Sequence, residues 1–421
     1  MKVLVTNVYS YKNKGDAAIV IALLSEIRRV LPGYDIVVQT TDIQNDKDKY
    51  GVPISPTLMW TLISSMRNMH SVLLSIFLMA KMTSLLAYIL VARVLACNPV
   101  FLLSKTLKEY IWQVRSSDVV IACGGGYLRT GSSKPNDSLL LFVTCLNFVL
   151  PTYFGKSVYL YSQSIGPVYG KLQKEILRFS LDRVRIVESR EDISTSYVKS
   201  LDVHAKLMET ADPVFLLAGK RTKSDITVDK QRINVGMTVR GWFSDQNKQI
   251  AYIDAMAKFI DYLAVEYQAH VYYLPQVIAA SFGDDDRLTA EKVKQRLQHK
   301  KSFTLLDKDL HPYEISDFCS RLSFFVGTRM HSNIYALINR VPTIAIEYEP
   351  KTRGIMRGLG LEEYSISINN VTFDSLRALY TKLNDNQSEY LKTLDTGMAS
   401  QLLKSKKGIE YIMLDMRNQI T

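Results

Sequence analysis

The sequence predicts an α/β protein with two domains, each built on a parallel β-sheet that helices cover on both faces. Short apolar segments rich in β-branched residues alternate with segments of helical spacing along most of the 421 residues. This alternation pauses at AGKRTKSDITVDKQ, a charged stretch with few large apolar residues, and then starts again. A hydrophobic content of 47% is sufficient for two packed cores. We therefore expect an N-terminal domain of residues 1–218 and a C-terminal domain of residues 219–421.

The first predicted strand is KVLVTNV, which a turn containing glycine connects to the helical pattern AAIVIALLSEIRRVL. The other predicted strands are 36–40, 118–123, 157–162 and 184–189 in the first domain, and 233–239, 269–275, 302–306, 323–328 and 342–348 in the second. Helices between consecutive strands make a sheet parallel. Such sheets bind ligands at the carboxyl ends of their strands, so we expect a cleft between the domains that faces both of these edges.

Residues 56–104 depart from this alternation, because they are rich in Leu, Met and Ile. Lys81 is the only charged residue from Ser71 to Ala92, a length close to the roughly 20 apolar residues of a membrane span. The favoured interpretation is a pair of buried helices over the sheet. Helices in the membrane interface and a true span are the alternatives. A net charge of +11 would suit peripheral contact of residues 56–104 with the inner face of an anionic membrane.

Composition narrows the class of protein. The cysteines, Cys97, Cys123, Cys145 and Cys319, are widely spaced, so the sequence predicts neither a metal site nor a disulfide framework. The N-terminal residues lack the pattern of a signal peptide, and we expect a cytoplasmic protein. No Lys/Arg-rich stripe with interleaved aromatics is present, so nucleic acid is not an expected partner.

Two glycine-containing turns are candidate ligand sites. In NKGDAAI, residues Asn13, Gly15 and Asp16 begin a helix whose N–H groups would favour an anion or sugar hydroxyls; the alternative is a tight turn with Asp16 as N-cap. In IACGGGYLRT, the consecutive Gly124, Gly125 and Gly126 would let a ligand approach the backbone, although a structural turn remains open. This second pattern matches neither a dinucleotide-binding nor a Walker A motif.

Basic residues stand at the ends of three predicted strands. Arg190 follows VRIVES, where it would either face a ligand or pair with Glu191 or Asp192. Arg329 and His331 lie at a strand-to-helix corner, and Lys351 follows the next strand. Arginine, lysine and a helix start together suit an oxygen-rich dianion, and a histidine can move a proton near neutral pH. The pattern indicates an anionic donor and an acid catalyst.

The motifs NKGDAAI, CGGGYL, SQSIGPV, SREDIS, ADPVFLL, VGTRMHS and IEYEPKTRGIMRGLGL occur in this order, and together they resemble the polysaccharide pyruvyl transferase family, most closely its colanic-acid-type members. The resemblance implies two Rossmann-like domains in a GT-B-like fold. It also implies transfer of pyruvate from phosphoenolpyruvate onto two hydroxyls of one sugar as a cyclic ketal, with phosphoenolpyruvate as co-substrate and no other cofactor. The acceptor would be a sugar of an exopolysaccharide or capsule, or its lipid-linked precursor.

The resemblance assigns roles to individual residues. His331 is the expected acid, and Lys351 is an expected contact to phosphoenolpyruvate. Arg190 is the chosen donor-binding arginine, with Arg329 as second candidate. Apart from the resemblance, the carboxylate of Asp16 is a candidate to accept a proton from the acceptor hydroxyl or to orient that hydroxyl. Gln163, within SQSIGPV, is a further candidate contact.

One departure from the family pattern lies in the same motif. Ser162 and Ser164 replace glycines of the usual GQGIGP, which would allow a changed acceptor site. Two other functions stay open: a GT-B glycosyltransferase that uses a nucleotide sugar, and a non-catalytic glycan- or lipid-binding protein of envelope assembly.

Overall fold

A computed structural model of the chain describes residues 1–63, 71–95, 97–280 and 283–418. The chain forms two compact units. Unit 1 comprises Met1–Tyr11, Leu23–Glu209 and Gly408–Thr421, and unit 2 comprises Lys12–Ala22 and Thr210–Lys407. The predicted boundary after residue 218 lies a little beyond this division. The sequence did not indicate that Lys12–Ala22 belongs with the second half of the chain.

Unit 1 contains a seven-stranded parallel sheet in the order β3-β2-β1-β4-β5-β6-β7. Its strands are β1 (Lys2–Val8), β2 (Asp35–Thr40), β3 (Ile54–Pro56), β4 (Val119–Cys123), β5 (Ser157–Gln163), β6 (Ile186–Ser189) and β7 (Lys206–Glu209). Every residue of β4 is buried, which is typical of a central strand with both faces covered. The edge strands β3 and β7 were not predicted, because they are short and only partly apolar.

Helices cover this sheet, and α1 contributes residues to both units. They are α1 (Lys14–Val30), α2 (Ile43–Asp46), α3 (Leu58–Ile63), α4 (Ser71–Val94), α5 (Lys105–Ser116), α6 (Pro135–Tyr153), α7 (Lys171–Leu181) and α8 (Asp192–Ser200). One core forms where Val120 and Leu160 of the sheet pack with Leu107 of α5 and Phe148 of α6. Burial of such apolar side chains is the main source of stability.

The favoured interpretation of residues 56–104 as buried helices is wrong for α4. One described helix is long and apolar enough to cross a membrane, in the window Phe77–Val94, yet only 11% of that window is buried. Leu85 and Tyr88 do pack into the core, but Met79, Leu86 and Leu90 are exposed. Residues 64–70, which belong to the same predicted segment, lie outside the described part of the chain.

Unit 2 contains a six-stranded parallel sheet in the order β12-β9-β8-β13-β14-β15 and an antiparallel pair, β10-β11. Its strands are β8 (Asn234–Thr238), β9 (His270–Tyr273), β10 (Ile278–Ala279), β11 (Asp284–Asp285), β12 (Phe303–Leu305), β13 (Phe324–Gly327), β14 (Thr343–Glu347) and β15 (Ser365–Ser367). Its helices are α9 (Gln246–Glu266), α10 (Asp286–Arg296), α11 (Pro312–Cys319), α12 (Met330–Leu337), α13 (Pro350–Gly358), α14 (Phe373–Asp385) and α15 (Gln387–Asn418), whose last residues belong to unit 1. The prediction of two parallel-sheet α/β domains is confirmed.

Glu188 is a fully buried carboxyl on β6 of unit 1. Burial raises its pKa to about 8, because the charged form loses its hydration, although a backbone interaction with Ser162 opposes this shift. The folded state therefore holds a proton that the unfolded chain releases above pH 4.5. Stability from this group is fully present below pH 4.5 and is lost as the pH rises through about 8.

We predict that Glu188→Gln removes this pH dependence. The free energy of unfolding of the variant should exceed that of the wild type by an amount that grows with pH, by up to roughly 1.4 kcal/mol per pH unit between the two pKa values. Urea unfolding at pH 5 and pH 8 measures the difference. Glu291→Gln, at an exposed position on α10, is the control. Parallel pH dependence in wild type and Glu188→Gln would contradict the assignment.

Candidate active site

His331 lies at the carboxyl edge of the second sheet, in the first turn of α12. Strand β13 ends at Gly327, and Arg329 has extended backbone angles at the N-cap of the helix. Asn333 fixes this corner, because its side-chain amide donates to the carbonyl of Gly327 at 3.1 Å. The side chain of His331 is 13% exposed. The sequence predicted this strand-to-helix corner, and the structure shows in addition that the imidazole is nearly buried.

Gly15 packs directly against the ring of His331. A Cβ atom at position 15 would lie 1.9 Å from Nδ1 of His331, so no other residue fits beside the ring in this position. The turn is anchored by backbone bonds: the N–H of Lys14 donates to the carbonyl of Gln276 at 2.8 Å, and Tyr335 Oη donates to the carbonyl of Lys14 at 3.1 Å. These contacts explain why Lys12–Ala22 belongs to unit 2.

Asn13, rather than Asp16, caps helix α1. The side-chain oxygen of Asn13 accepts from the N–H groups of Gly15 at 3.2 Å and Asp16 at 3.4 Å. Its amide nitrogen donates to Asp16 Oδ2 at 2.8 Å. The alternative with Asp16 as N-cap is therefore wrong. Asp16 instead holds a partly exposed carboxylate one residue from the contact between Gly15 and His331.

Asp212 is a site residue that the sequence reasoning missed. Its carboxylate is fully buried and lies 3.5 Å from Nε2 of His331. The other carboxylate oxygen accepts from the N–H of Val214 at 2.9 Å, so the position of Asp212 is fixed by a short helical turn. A buried carboxylate beside a histidine can fix the orientation of the ring. The Asp-Pro pair in ADPVFLL, typical of a helix start, was the available signal.

Two cations and an aromatic ring lie at the same sheet edge. Lys351 forms an ion pair of 2.8 Å with Glu349, and its side chain is 20% exposed. Arg240, at the end of β8, places its guanidinium 4.6 Å from the ring centre of Tyr348. The ammonium of Lys351 lies 5.9 Å from the same ring. The sequence reasoning missed Arg240, although it follows a predicted strand as Arg190 and Lys351 do.

Arg329 has a different environment, because two carboxylates already neutralise it. It contacts Asp286 at 2.6 Å and Asp284 at 2.8 Å and is 8% exposed. Burial lowers the pKa of Arg329, but the two carboxylates more than reverse this and raise it above its ordinary value. Asp286 also accepts from the backbone N–H groups of Gln276 and Val277, both at 3.0 Å. Arg329 therefore supports the segment that holds Gly15.

Gln276 carries an unsatisfied amide beside this segment. Both polar atoms of its side chain are buried and have no hydrogen-bond partner within the described residues. Buried polar groups are normally paired, so such an amide is a candidate contact for water or ligand. It follows β9, and a polar residue after an apolar strand was the signal in the sequence.

The remaining predicted site residues belong to unit 1. Gly124 has a φ of +145°, and a Cβ atom there would lie 2.5 Å from the ring of Tyr127, so the fold itself requires glycine at this position. Gly125 and Gly126 follow in the loop after β4, where the carbonyl of Gly125 accepts from the N–H of Ser164 at 2.9 Å. The amide of Gln163 donates to the carbonyls of Ala122 and Tyr161.

Arg190 shows the predicted pairing with Glu191. It is 1% exposed, and its Nε lies 3.5 Å from the carboxylate of Glu191 and donates to the hydroxyl of Ser164 at 2.8 Å. Ser164, which replaces a family glycine, therefore binds the arginine. Ser162, the other replacement, has a φ of +50°, a conformation that favours glycine.

The described parts of the chain contain no group of three His, Cys, Asp or Glu residues that could hold a metal ion.

Comparison with solved structures identifies the type of fold. The chain is similar to the UDP complex of S. aureus MnaA, with a TM-score of 0.59, 10% identity and coverage of 99% of this chain and 97% of that one. It is also similar to a putative UDP-N-acetylglucosamine 2-epimerase from Listeria monocytogenes, with a TM-score of 0.60, 10% identity and the same coverage. The two parallel-sheet units thus form a GT-B-type fold.

The sequence comparison identifies the family. The profile of the polysaccharide pyruvyl transferase family matches residues 13–350, and the chain belongs to this family of transferases. A relative is the amylovoran biosynthesis protein AmsJ of Erwinia amylovora, 24% identical over 307 residues, which are 67% of this chain and 69% of AmsJ. The predicted resemblance is confirmed.

We predict that Gly15→Ala inactivates the protein while leaving it folded. The added methyl would displace the ring of His331, and a misplacement of about 1 Å costs on the order of 10²-fold in rate. Overpacking should lower the free energy of unfolding by about 1–3 kcal/mol. Transferase activity and urea unfolding measure the two effects. Gly131→Ala is the control, since its nearest neighbour would be 3.7 Å away. Full activity of Gly15→Ala would refute the contact.

We predict that Asp212→Asn lowers kcat by roughly 10²–10⁴-fold, with little change in the KM of the donor. The substituted side chain keeps the oxygen that caps Val214, so the fold should persist. It replaces the carboxylate near Nε2 of His331 with a neutral amide. Steady-state kinetics and thermal unfolding, measured together, separate positioning of the histidine from a structural effect. A changed KM with normal kcat would argue against this role.

Proposed function

We propose that this protein transfers the pyruvyl group of phosphoenolpyruvate onto two hydroxyls of one sugar, forming a pyruvate ketal. The observation that carries the proposal is the placement of His331 between Gly15 and the buried Asp212, at a sheet edge that also holds Lys351 and Arg240. Membership of the polysaccharide pyruvyl transferase family supports it. The acceptor is a sugar of a surface polysaccharide or of its lipid-linked precursor, and we place the reaction in the cytoplasm.

Lys351 and Arg240 are our donor-binding residues. Phosphoenolpyruvate carries a phosphate and a carboxylate, which a guanidinium binds bidentately and an ammonium binds as a point charge. Both side chains are about 20% exposed, so a ligand can reach them. Arg329 is less suited, because it is 8% exposed and is neutralised by the two carboxylates of Asp284 and Asp286. Lys351 pairs with a single carboxylate, that of Glu349, and its side chain is 20% exposed. A role for Arg190 toward the donor stays a prediction, since this residue is buried in unit 1.

His331 acts as the general acid in this proposal. It donates a proton to the methylene carbon of phosphoenolpyruvate, which leaves a cationic centre at C2. One sugar hydroxyl adds at C2 and loses its proton. A neighbouring hydroxyl then displaces inorganic phosphate and closes the ketal, releasing a second proton. Asp212, whose carboxylate lies 3.5 Å from Nε2, positions the imidazole for the transfer.

Asp16 is our candidate to accept the proton of an acceptor hydroxyl. Its carboxylate is partly exposed, and Asn13 and the start of α1 hold it next to Gly15. Gly124, Gly125, Gly126 and Gln163 remain candidate ligand contacts in unit 1. The observed bonds of Gln163 and the conformation of Gly124 have structural roles already.

We predict different effects for substitutions of Lys351 and of His331. Lys351→Ala should weaken binding of phosphoenolpyruvate by about 10-fold or more, because a charge-assisted contact contributes roughly 1.5–3 kcal/mol. His331→Ala should bind phosphoenolpyruvate normally and lose most turnover. Isothermal titration with phosphoenolpyruvate measures binding without any acceptor. Lys300→Ala, at an exposed position of unit 2, is the matched control. Unchanged donor affinity in Lys351→Ala would remove this lysine from the site.

Isotope labelling tests the reaction itself. In D₂O, protonation of the methylene carbon by His331 should place one deuterium in the methyl group of the ketal, which mass spectrometry of the product detects. Phosphate release should accompany ketal formation. Parallel reactions with a UDP-sugar test the glycosyltransferase alternative, because the solved relatives of this fold include a UDP complex. Sugar transfer from the nucleotide without use of phosphoenolpyruvate would overturn the proposal. For the acceptor, glycan from cells with and without the gene should differ by a pyruvate ketal.

A further inference from the structure

Helix α4 presents an apolar face that the rest of the described chain does not cover. Met79, Leu86, Leu90 and Val94 are 62%, 54%, 64% and 70% exposed. Their spacing of seven and four residues places them on one side of the helix. The exposed Phe101 follows, in a short helical turn that contacts α4. We call these five side chains the apolar face. Soluble proteins rarely expose a contiguous apolar surface of this kind without a binding partner.

The opposite side of α4 is fixed to the protein. Leu85 and Tyr88 are buried in the core of unit 1. Lys81 also points to the protein, where its ammonium donates to the carbonyls of Thr61 at 2.9 Å and Leu62 at 3.2 Å, at the end of α3. Burial lowers the pKa of Lys81. The one charge between Phe77 and Ala92 is therefore turned away from the apolar face, and a helix held this way lies along the surface rather than spanning a bilayer.

A basic cavity adjoins the apolar face. It has a volume of about 590 Å³, and α4 forms one wall through Ile89, Ala92 and Arg93. Arg115 and Lys156 line it from other elements, together with aromatic residues that include Phe154. The residues lining it include three cations and no carboxylate. Arg115 is held in place, since its guanidinium lies 5.2 Å from the ring centre of Phe154 and donates to Tyr88 Oη at 3.4 Å.

We propose that unit 1 attaches to the surface of an anionic lipid bilayer, with the apolar face in the acyl-chain interface and a lipid phosphate in the basic cavity. Apolar side chains next to arginine and lysine match the two layers of such a surface, which are acyl chains and phosphate groups. The net charge of +11 favours the same partner. This inference rests on unit 1 alone and does not depend on the proposed reaction.

Vesicle binding of the purified full-length protein tests the proposal without donor or acceptor. The protein should sediment with phosphatidylglycerol-containing vesicles, bind phosphatidylcholine vesicles less, and dissociate as salt screens the charges. Leu86→Glu combined with Leu90→Glu should weaken binding to both kinds of vesicle by about 10-fold or more, because charged groups are costly in the interface. Leu288→Glu is the matched control, since Leu288 is 66% exposed on α10 of unit 2.

A separate variant tests the basic cavity. Arg93→Gln, Arg115→Gln and Lys156→Gln together should abolish the preference for phosphatidylglycerol and retain the weaker binding to phosphatidylcholine. Lys248→Gln, Lys292→Gln and Lys300→Gln remove the same charge from exposed positions of unit 2 and should retain the preference. Equal binding by test and control variants would show that only net charge matters and would overturn the proposal.

A second copy of the chain is the competing occupant of the apolar face. Light scattering of the wild type and of Leu86→Glu with Leu90→Glu detects it. A dimer that these substitutions convert to a monomer, without vesicle binding by the wild type, would assign the face to self-association and overturn the membrane proposal. Unchanged thermal unfolding of the variants confirms that they remain folded.

Discussion

The site depends on one steric and electrostatic arrangement, in which the imidazole of His331 is confined between the backbone of Gly15 and the buried carboxylate of Asp212. These residues come from three distant parts of the chain, so each must be fixed independently. Tyr335 and Gln276 bind the backbone beside Gly15. A short helical turn fixes Asp212. Ion pairs of Lys12 and Lys14 with Asp309 strengthen the attachment of the segment Lys12–Ala22. Burial raises the pKa of Asp309, but hydrogen bonds from the two lysines lower it to about 2, so the carboxylate stays charged at neutral pH. The fold itself therefore holds the imidazole of His331 in one position.

Burial and pairing separate the structural arginines from those that can bind a ligand. Arg329 is closer to His331 in sequence than any other candidate, yet two carboxylates neutralise it and it supports the Gln276 segment. Arg240 lies 3.9 Å from a carboxylate oxygen of Asp284 and remains partly exposed beside Tyr348. A buried ion pair is costly to open, because either partner would be left as an uncompensated charge. This difference is the reason why the proposed donor contacts are cations that are partly exposed.

The serine replacements in SQSIGPV have local explanations. Ser164 donates its hydroxyl to Glu191 at 3.1 Å and accepts from Arg190, which glycine could not do. Ser162 adopts a positive φ at the irregularity between β5 and β6, where glycine would be unstrained. Both serines therefore lie in the structure of one loop of unit 1, at a strand end where ligands commonly bind.

The sequence alone determined the α/β class and the two parallel sheets, because buried strands and helices leave distinct apolar periodicities. It also determined that His331 and Lys351 follow strands, since such positions can be read locally. Tertiary structure decided what could not be read this way. The pairing of Asp212 with His331, the transfer of Lys12–Ala22 to unit 2 and the neutralisation of Arg329 all join residues far apart in the chain. Likewise, the apolar composition of α4 was visible, but its exposure was not, because composition records how apolar a helix is and only packing decides which face the protein covers.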